Sequence, residues 1–130
     1  FVWPYEMKLV QSLHALGTRV RLHICGKTHK YYKEMGQLGC EIVDLDWMNP
    51  MDQARIEMGS KQVLCGNIDP VQALKNSTPE AVYQAIQACH RATGPNYIVG
   101  AGCEVPRGTP PENLRAMIEY AQSHAPSALA

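Results

Sequence analysis

The feature that most constrains this fold is a strict alternation of strand-like and helix-like segments along the whole chain. Arg19 to Cys25 alternates polar and apolar residues and breaks at Gly26. Glu41 to Asp46, Gln62 to Cys65 and Asn96 to Ala101 are three further short runs of strand character. Helical patterns lie between and around them. The first covers roughly 4–16, where Pro4 suits a first turn and Met7, Val10, Leu13 and Leu16 recur at helical spacing before Gly17. Others are expected near 28–38 and 50–58, ending at Gly39 and Gly59. A fourth runs from Pro79 to about Ala92, with Ala81, Val82, Ala85, Ile86 and Cys89 on one face and either Ser77 or Thr78 as its cap. A last helix opens at Thr109-Pro110-Pro111-Glu112 and is expected to turn Leu114, Met117, Ile118 and Ala121 inward. Residues 123–130 read as a frayed tail.

Strands that alternate with helices pair in parallel through right-handed crossovers. Two architectures satisfy that rule: a doubly wound sheet, or part of a (β/α)8 barrel. No Gly-x-Gly-x-x-Gly opens a helix, so a dinucleotide fold has no support. Polar residues gather instead at the carboxyl ends of the strands: His23 and Cys25, Asp44 and Asp46, Asn67 and Asp69, Cys103 and Glu104. A barrel puts its active site at those ends. With 130 residues, the chain is about half of a barrel, which typically takes about 250. It reads as one half-barrel domain over 1–130. Because it opens on Phe1 with a helix pattern almost at once, a piece of a longer protein is expected. A half-barrel would leave two open sheet edges and an inward face lacking its partner strands. That face is expected to be apolar and to drive association into a homo-oligomer.

Composition narrows the function. Lys plus Arg and Asp plus Glu both number 12, so nothing marks a nucleic-acid or anionic-membrane surface. No apolar run approaches the roughly 20 residues of a membrane span, and no signal peptide is visible. The 5 cysteines are odd in number and not closely paired, which fits thiols in a reducing, cytoplasmic setting better than a disulfide framework.

His23 and Cys25 lie two apart on one strand and therefore point the same way. An imidazole beside a thiolate is half of a tetrahedral zinc site, and Cys103, just past another strand, offers a third soft ligand. Three protein ligands with one open position suit a catalytic zinc. The residues alone equally permit a buried histidine with two core cysteines, because His-x-Cys is a weak pattern and Cys103 is too distant for zinc-finger spacing. Cys40, Cys65 and Cys89 read as small core residues. His14 and His90 read as surface or packing residues, and His29 as a helix start. Tyr31 and Tyr32 read as packing.

Several segments together resemble the uroporphyrinogen decarboxylase superfamily, and within it the zinc-dependent corrinoid methyltransferases. They are His23-Ile24-Cys25-Gly26, Gly66-Asn67-Ile68-Asp69-Pro70, Thr78-Pro79-Glu80, and Gly102-Cys103-Glu104-Val105-Pro106 followed by Thr109-Pro110-Pro111-Glu112-Asn113. The resemblance implies an α/β fold forming the C-terminal half of a (β/α)8 TIM barrel, with four parallel strands. It implies zinc on His23, Cys25 and Cys103, and methyl transfer between a corrinoid carried on a partner protein and a small thiol or folate acceptor. The related cobalamin-independent methionine synthases use an acidic ligand near the place of Asp46, which is either a labile fourth ligand or a solvated loop carboxylate. Asn67 and Asp69 either bind substrate or hold the turn before Pro70. A metal-free lyase of the decarboxylase branch is the alternative reading, but the decarboxylase carries a histidine in a Gly-His-Gly context where this chain has Gly100-Ala101-Gly102, a departure that counts against it. A non-catalytic half-barrel is the third.

Overall fold

The computed structural model describes residues 1–125. The elements are α1 (Trp3–Ala15), β1 (Arg21–Ile24), a 3-10 turn (His29–Tyr31) running into α2 (Tyr32–Gln37), β2 (Ile42–Leu45), α3 (Met51–Met58), β3 (Val63–Cys65), a π-helical turn (Pro70–Lys75), α4 (Pro79–Thr93), β4 (Tyr97–Ile98) and α5 (Pro111–Ser123). The strands form one 4-stranded sheet in the order β1-β2-β3-β4, each neighbouring pair parallel. Sequential order without reversal rules out the doubly wound alternative, whose strand order reverses at a switch point.

Side-chain alternation gives the sheet two unlike faces. Val43, Leu45 and Leu64 are fully buried against Met35 of α2 and Met51, Ala54 and Met58 of α3, with Leu22, Ile24 and Tyr97 packed alongside. Burying one such aliphatic side chain contributes about 1.5–3 kcal/mol. Helix α4 applies Val82 and Ile86, and α5 applies Ala116 and Tyr120, to the β4 end of this layer. Helix α1 covers Leu38 and Cys40 with Val10. Helices on one face of a sequentially ordered parallel sheet make the half-barrel expected from the sequence.

The opposite face differs from expectation. The register sets His23, Asp44, Cys65 and Ile98 in one row across it, and Arg21 stands two residues earlier on β1. The same face carries Ile42, Val63 and Ile98, so it is mixed, with charge where an apolar patch is expected. The reason is the ion pair Arg21–Asp44, which fills the sheet's concavity with charge.

Local corrections follow from side-chain bonding. Helix α5 buries Asn113, Ala116 and Tyr120, while Ile118 is 55% exposed and Ala121 also faces out. Asn113 donates its amide to Leu74 O and Ser77 O, and Tyr120 meets His90 Nδ1 at 3.0 Å. These bonds rotate the helix away from the stripe that hydrophobicity alone selects. Thr78, not Ser77, caps α4 by accepting from Ala81 N. Strand β4 is shorter than expected, with an isolated bridge from Ile68 to Ala101 continuing its direction. The expected tail begins inside α5 at Ser123, and residues 126–130 lie outside the described residues. Among the described residues no helix is long and apolar enough to cross a membrane.

Candidate metal centre

Three loops at the carboxyl ends of the strands converge. Gly26 follows β1 with φ of 87°, a left-handed conformation open to glycine, and it turns the chain immediately after Cys25. Its N–H donates to Asp46 Oδ2 at 2.6 Å. The other carboxylate oxygen of Asp46 accepts from Trp47 N at 2.7 Å. Asn49 completes the clamp. Its Nδ2 donates to Gly26 O at 2.8 Å and Asp46 O at 3.0 Å, and its Oδ1 accepts from Thr28 N at 2.8 Å. Asn67, past β3, donates to Asn49 O at 2.6 Å and Asp46 O at 3.0 Å. The side chains of Asp46, Asn49 and Asn67 thereby tie the first three strand ends together through backbone groups.

The fourth strand end joins through glycine. Gly102 lies against the Trp47 backbone, where any side chain would collide, and Gly102 N donates to Ile68 O at 2.9 Å. This seats Cys103 beside Cys25 and Asp46. The two thiol sulfurs and a carboxylate oxygen of Asp46 all lie within 4.8 Å of one another. Both cysteines reach solvent, while Asp46 is buried beneath them. His23 stands at the margin. Its Nε2 is 3.1 Å from Cys25 Sγ, but no nitrogen of its ring joins the mutually close set.

The three mutually close donors, two thiols and a carboxylate oxygen, are of the kinds zinc takes, and His23 Nε2 beside Cys25 is a further donor of that kind outside the set. Without a cation, the Cys25 thiol is held above its ordinary range, first by its hydrogen bond with Cys103, then by lost hydration and nearby carboxylates. A divalent ion among these sulfurs would reverse that balance.

The remaining candidates have structural partners. Asp69 Oδ1 accepts from Val71 N and Gln72 N and so caps the π-helical turn. Asn67 has its amide hydrogens on the two carbonyls of the Asp46–Asn49 turn. Both therefore have hydrogen bonds that hold a turn, one of the two roles the sequence leaves open. His29 heads the 3-10 turn, Tyr32 is fully buried, and Tyr31 is exposed. Cys40 and Cys65 are buried, and Cys89 is intermediate. His14 pairs with Glu41 on the surface. Sequence reasoning missed Asn49 altogether, because an Asn before Pro50 reads as an ordinary helix lead-in. It also passed over the Arg21–Asp44 pair, although the i, i+2 spacing of Arg21 with His23 places both on the inward face.

Comparison with known proteins agrees with this geometry. Over 125 residues the chain is 32% identical to Methylcobamide:CoM methyltransferase MtbA of Methanosarcina mazei, covering 95% of this chain and 36% of that protein. Over 123 residues it is also 32% identical to uroporphyrinogen decarboxylase of Streptomyces avermitilis, covering 92% of this chain and 33% of the other. It is 35% identical over 118 residues to Methylated-thiol--coenzyme M methyltransferase of Methanosarcina mazei, covering 91% and 30% respectively. The chain thus spans about a third of the length of the curated relatives it matches. A solved methyltransferase from Methanosarcina mazei shares the fold with a TM-score of 0.82 at 18% identity, over 95% of this chain and 35% of that one. The family model described as uroporphyrinogen decarboxylase (URO-D) matches residues 1–124, so a parallel half-barrel whose strand ends carry this site belongs to the uroporphyrinogen decarboxylase family.

Proposed function

We propose that this chain carries the metal-binding, thiol-activating part of a zinc-dependent methyltransferase, which moves a methyl group between a corrinoid protein and a small thiol. One observation carries the reading: Cys25, Asp46 and Cys103 bring three ligand atoms within 4.8 Å at the ends of different strands, with His23 Nε2 next to Cys25. A structural role alone does not call for two solvent-facing thiols over a buried carboxylate. Zinc held there supplies a Lewis-acid position at which an acceptor thiol is deprotonated near neutral pH. The chain's own part is to hold the donors apart from bulk water on one side and leave the other side open. Asp46 and Asn49 fix the Cys25 loop, and Gly102 fixes Cys103. A thiol acceptor is preferred over a folate because two of the relatives are named for transfer to CoM or from methylated thiols.

The decarboxylase reading is favoured by one fact, the equal 32% identity to a named uroporphyrinogen decarboxylase. Metal content separates the two. Freshly purified protein carrying this sequence is expected to hold one zinc per chain, with Zn–S distances of about 2.3 Å and Zn–N of about 2.0–2.1 Å. Cys103→Ala should abolish tight binding. Unchanged metal content in that variant removes Cys103 from the site, and no metal in the parent removes the methyltransferase reading in favour of the lyase.

A further inference from the structure

His23 and Asp44 are directly opposite in the β1–β2 register. The imidazole is strung between two groups. Its Nδ1 is 3.2 Å from Asp44 Oδ2 and 3.1 Å from the Asp44 main-chain oxygen. Its Nε2 is 3.1 Å from Cys25 Sγ. Both neighbours of Nδ1 are acceptors, so a proton belongs on that nitrogen. The neutral ring then keeps its lone pair on Nε2, the nitrogen aimed at the candidate metal donors.

Asp44 is itself held. It is only 7% exposed, and burying a charged group is costly unless it is paired. Arg21 supplies the pairing: Nη2 donates to the same Oδ2 at 2.6 Å. Arg21 reaches this position because it precedes His23 by two residues and shares its face. Asp44 does not join the cluster of Cys25, Asp46 and Cys103, and its contact with the site runs through His23.

The geometry points to Asp44, fixed by Arg21, as the positioning residue for His23. It selects the Nδ1–H tautomer and holds the ring so that Nε2 can ligate the ion bound by Cys25 and Cys103. The inference rests on the zinc reading above and adds to it a residue that makes no contact with metal or substrate. Partners of this kind typically tighten metal binding about 10–100-fold.

The test is zinc affinity of the full chain by competition with a chromophoric chelator, together with Co²⁺ spectra. Asp44→Asn is expected to weaken zinc about 10–100-fold. Its Co²⁺ form should keep thiolate-to-metal charge transfer while the ligand-field bands shift, because the sulfurs stay and the imidazole is disordered. Arg21→Gln should move both readouts in the same direction. His23→Ala is the control. If His23→Ala binds zinc like the parent, the zinc role of His23 fails and takes this inference with it. If His23→Ala weakens binding but Asp44→Asn does not, only the positioning role is overturned. Should Asp44→Asn fail to fold, Arg21→Gln decides: weaker zinc binding with shifted ligand-field bands supports the role, and parent-like values in both overturn it.

Discussion

Gly102 passes so close to Trp47 that a Cβ on it would lie 2.2 Å from the Trp47 backbone nitrogen and 2.6 Å from its Cα. Trp47 follows Asp46, and Cys103 follows Gly102. The contact is thus the hinge pin that sets one sulfur of the candidate site against its carboxylate. Gly102→Ala must push the two loops apart, since backbone atoms cannot swing aside as a flexible side chain would. The variant should lose about 1–3 kcal/mol of stability, in the range of overpacked sites. It should also bind zinc more weakly, because Cys103 moves away from Cys25. Thermal unfolding and chelator competition measure the two effects; a variant matching the parent in both would show that the loops have room to spare.

Asp46 has a double claim on its carboxylate. Both oxygens accept backbone N–H groups, from Gly26 and Trp47, and one oxygen also lies within reach of both thiols. Asp46→Asn turns an amide N–H₂ toward one of those donors, leaving a buried mismatch worth about 1–3 kcal/mol. Zinc should nevertheless remain bound through the other donors. If Asp46 is the exchangeable ligand, entry of a thiol changes in rate and affinity in the zinc-loaded variant. Thiol binding identical to the parent, measured per bound zinc, would leave Asp46 as a loop clamp only.

What was legible in the sequence is what periodicity controls. The Arg19–Cys25 alternation located β1 and its inward pair His23 and Cys25, and the turn glycines located the strand ends. The parts that were not legible depend on polar contacts made across the fold. Ile118 looked like a core residue until Tyr120 and Asn113 found hydrogen-bond partners that turned α5. The inward face looked apolar by analogy with a barrel core, yet Arg21 and Asp44 satisfy each other there. Asn49 had no local signal, because its partners Gly26 and Thr28 come from another strand end. The π-helical turn at Pro70–Lys75 is six residues long and is defined by the Asp69 cap rather than by any hydrophobic stripe.

Self-association is the next expectation, on grounds changed by the structure. Among the described residues, β1 and β4 each have a single strand neighbour, so each presents a free edge. The inward face mixes Arg21, His23 and Asp44 with Ile42, Val63 and Ile98. Helix α1 and the residue before it show Val2, Tyr5 and Leu9 at 58%, 69% and 59% exposure, on one side at helical spacing. Apolar groups exposed in a row favour association. The chain should therefore form dimers or larger species at micromolar concentration in sedimentation, and Leu9→Lys should shift it toward monomer. A monomer throughout that range would contradict the expectation.

Cys65 provides a test of the inward face that needs no metal. It is 4% exposed, and burial, reinforced by the charge of Asp44, pushes its thiol from 9.0 up to about 11. A thiol whose folded value is raised favours the protonated folded state. Its contribution to stability is whole below the unfolded value near 9 and is lost as pH rises toward about 11. Lost hydration also raises the thiols of Cys40 and Cys89, so the parent curve alone does not isolate Cys65. Cys65→Ser removes the titration while keeping a small polar group next to Asp44. The parent's melting temperature should therefore fall more steeply than the variant's between about pH 9 and 11. Alkylation at neutral pH gives a second readout: Cys25 and Cys103, both exposed, should be modified first and Cys65 among the last. Parallel stability curves with early modification of Cys65 would mean that the face carrying Asp44 is open to water.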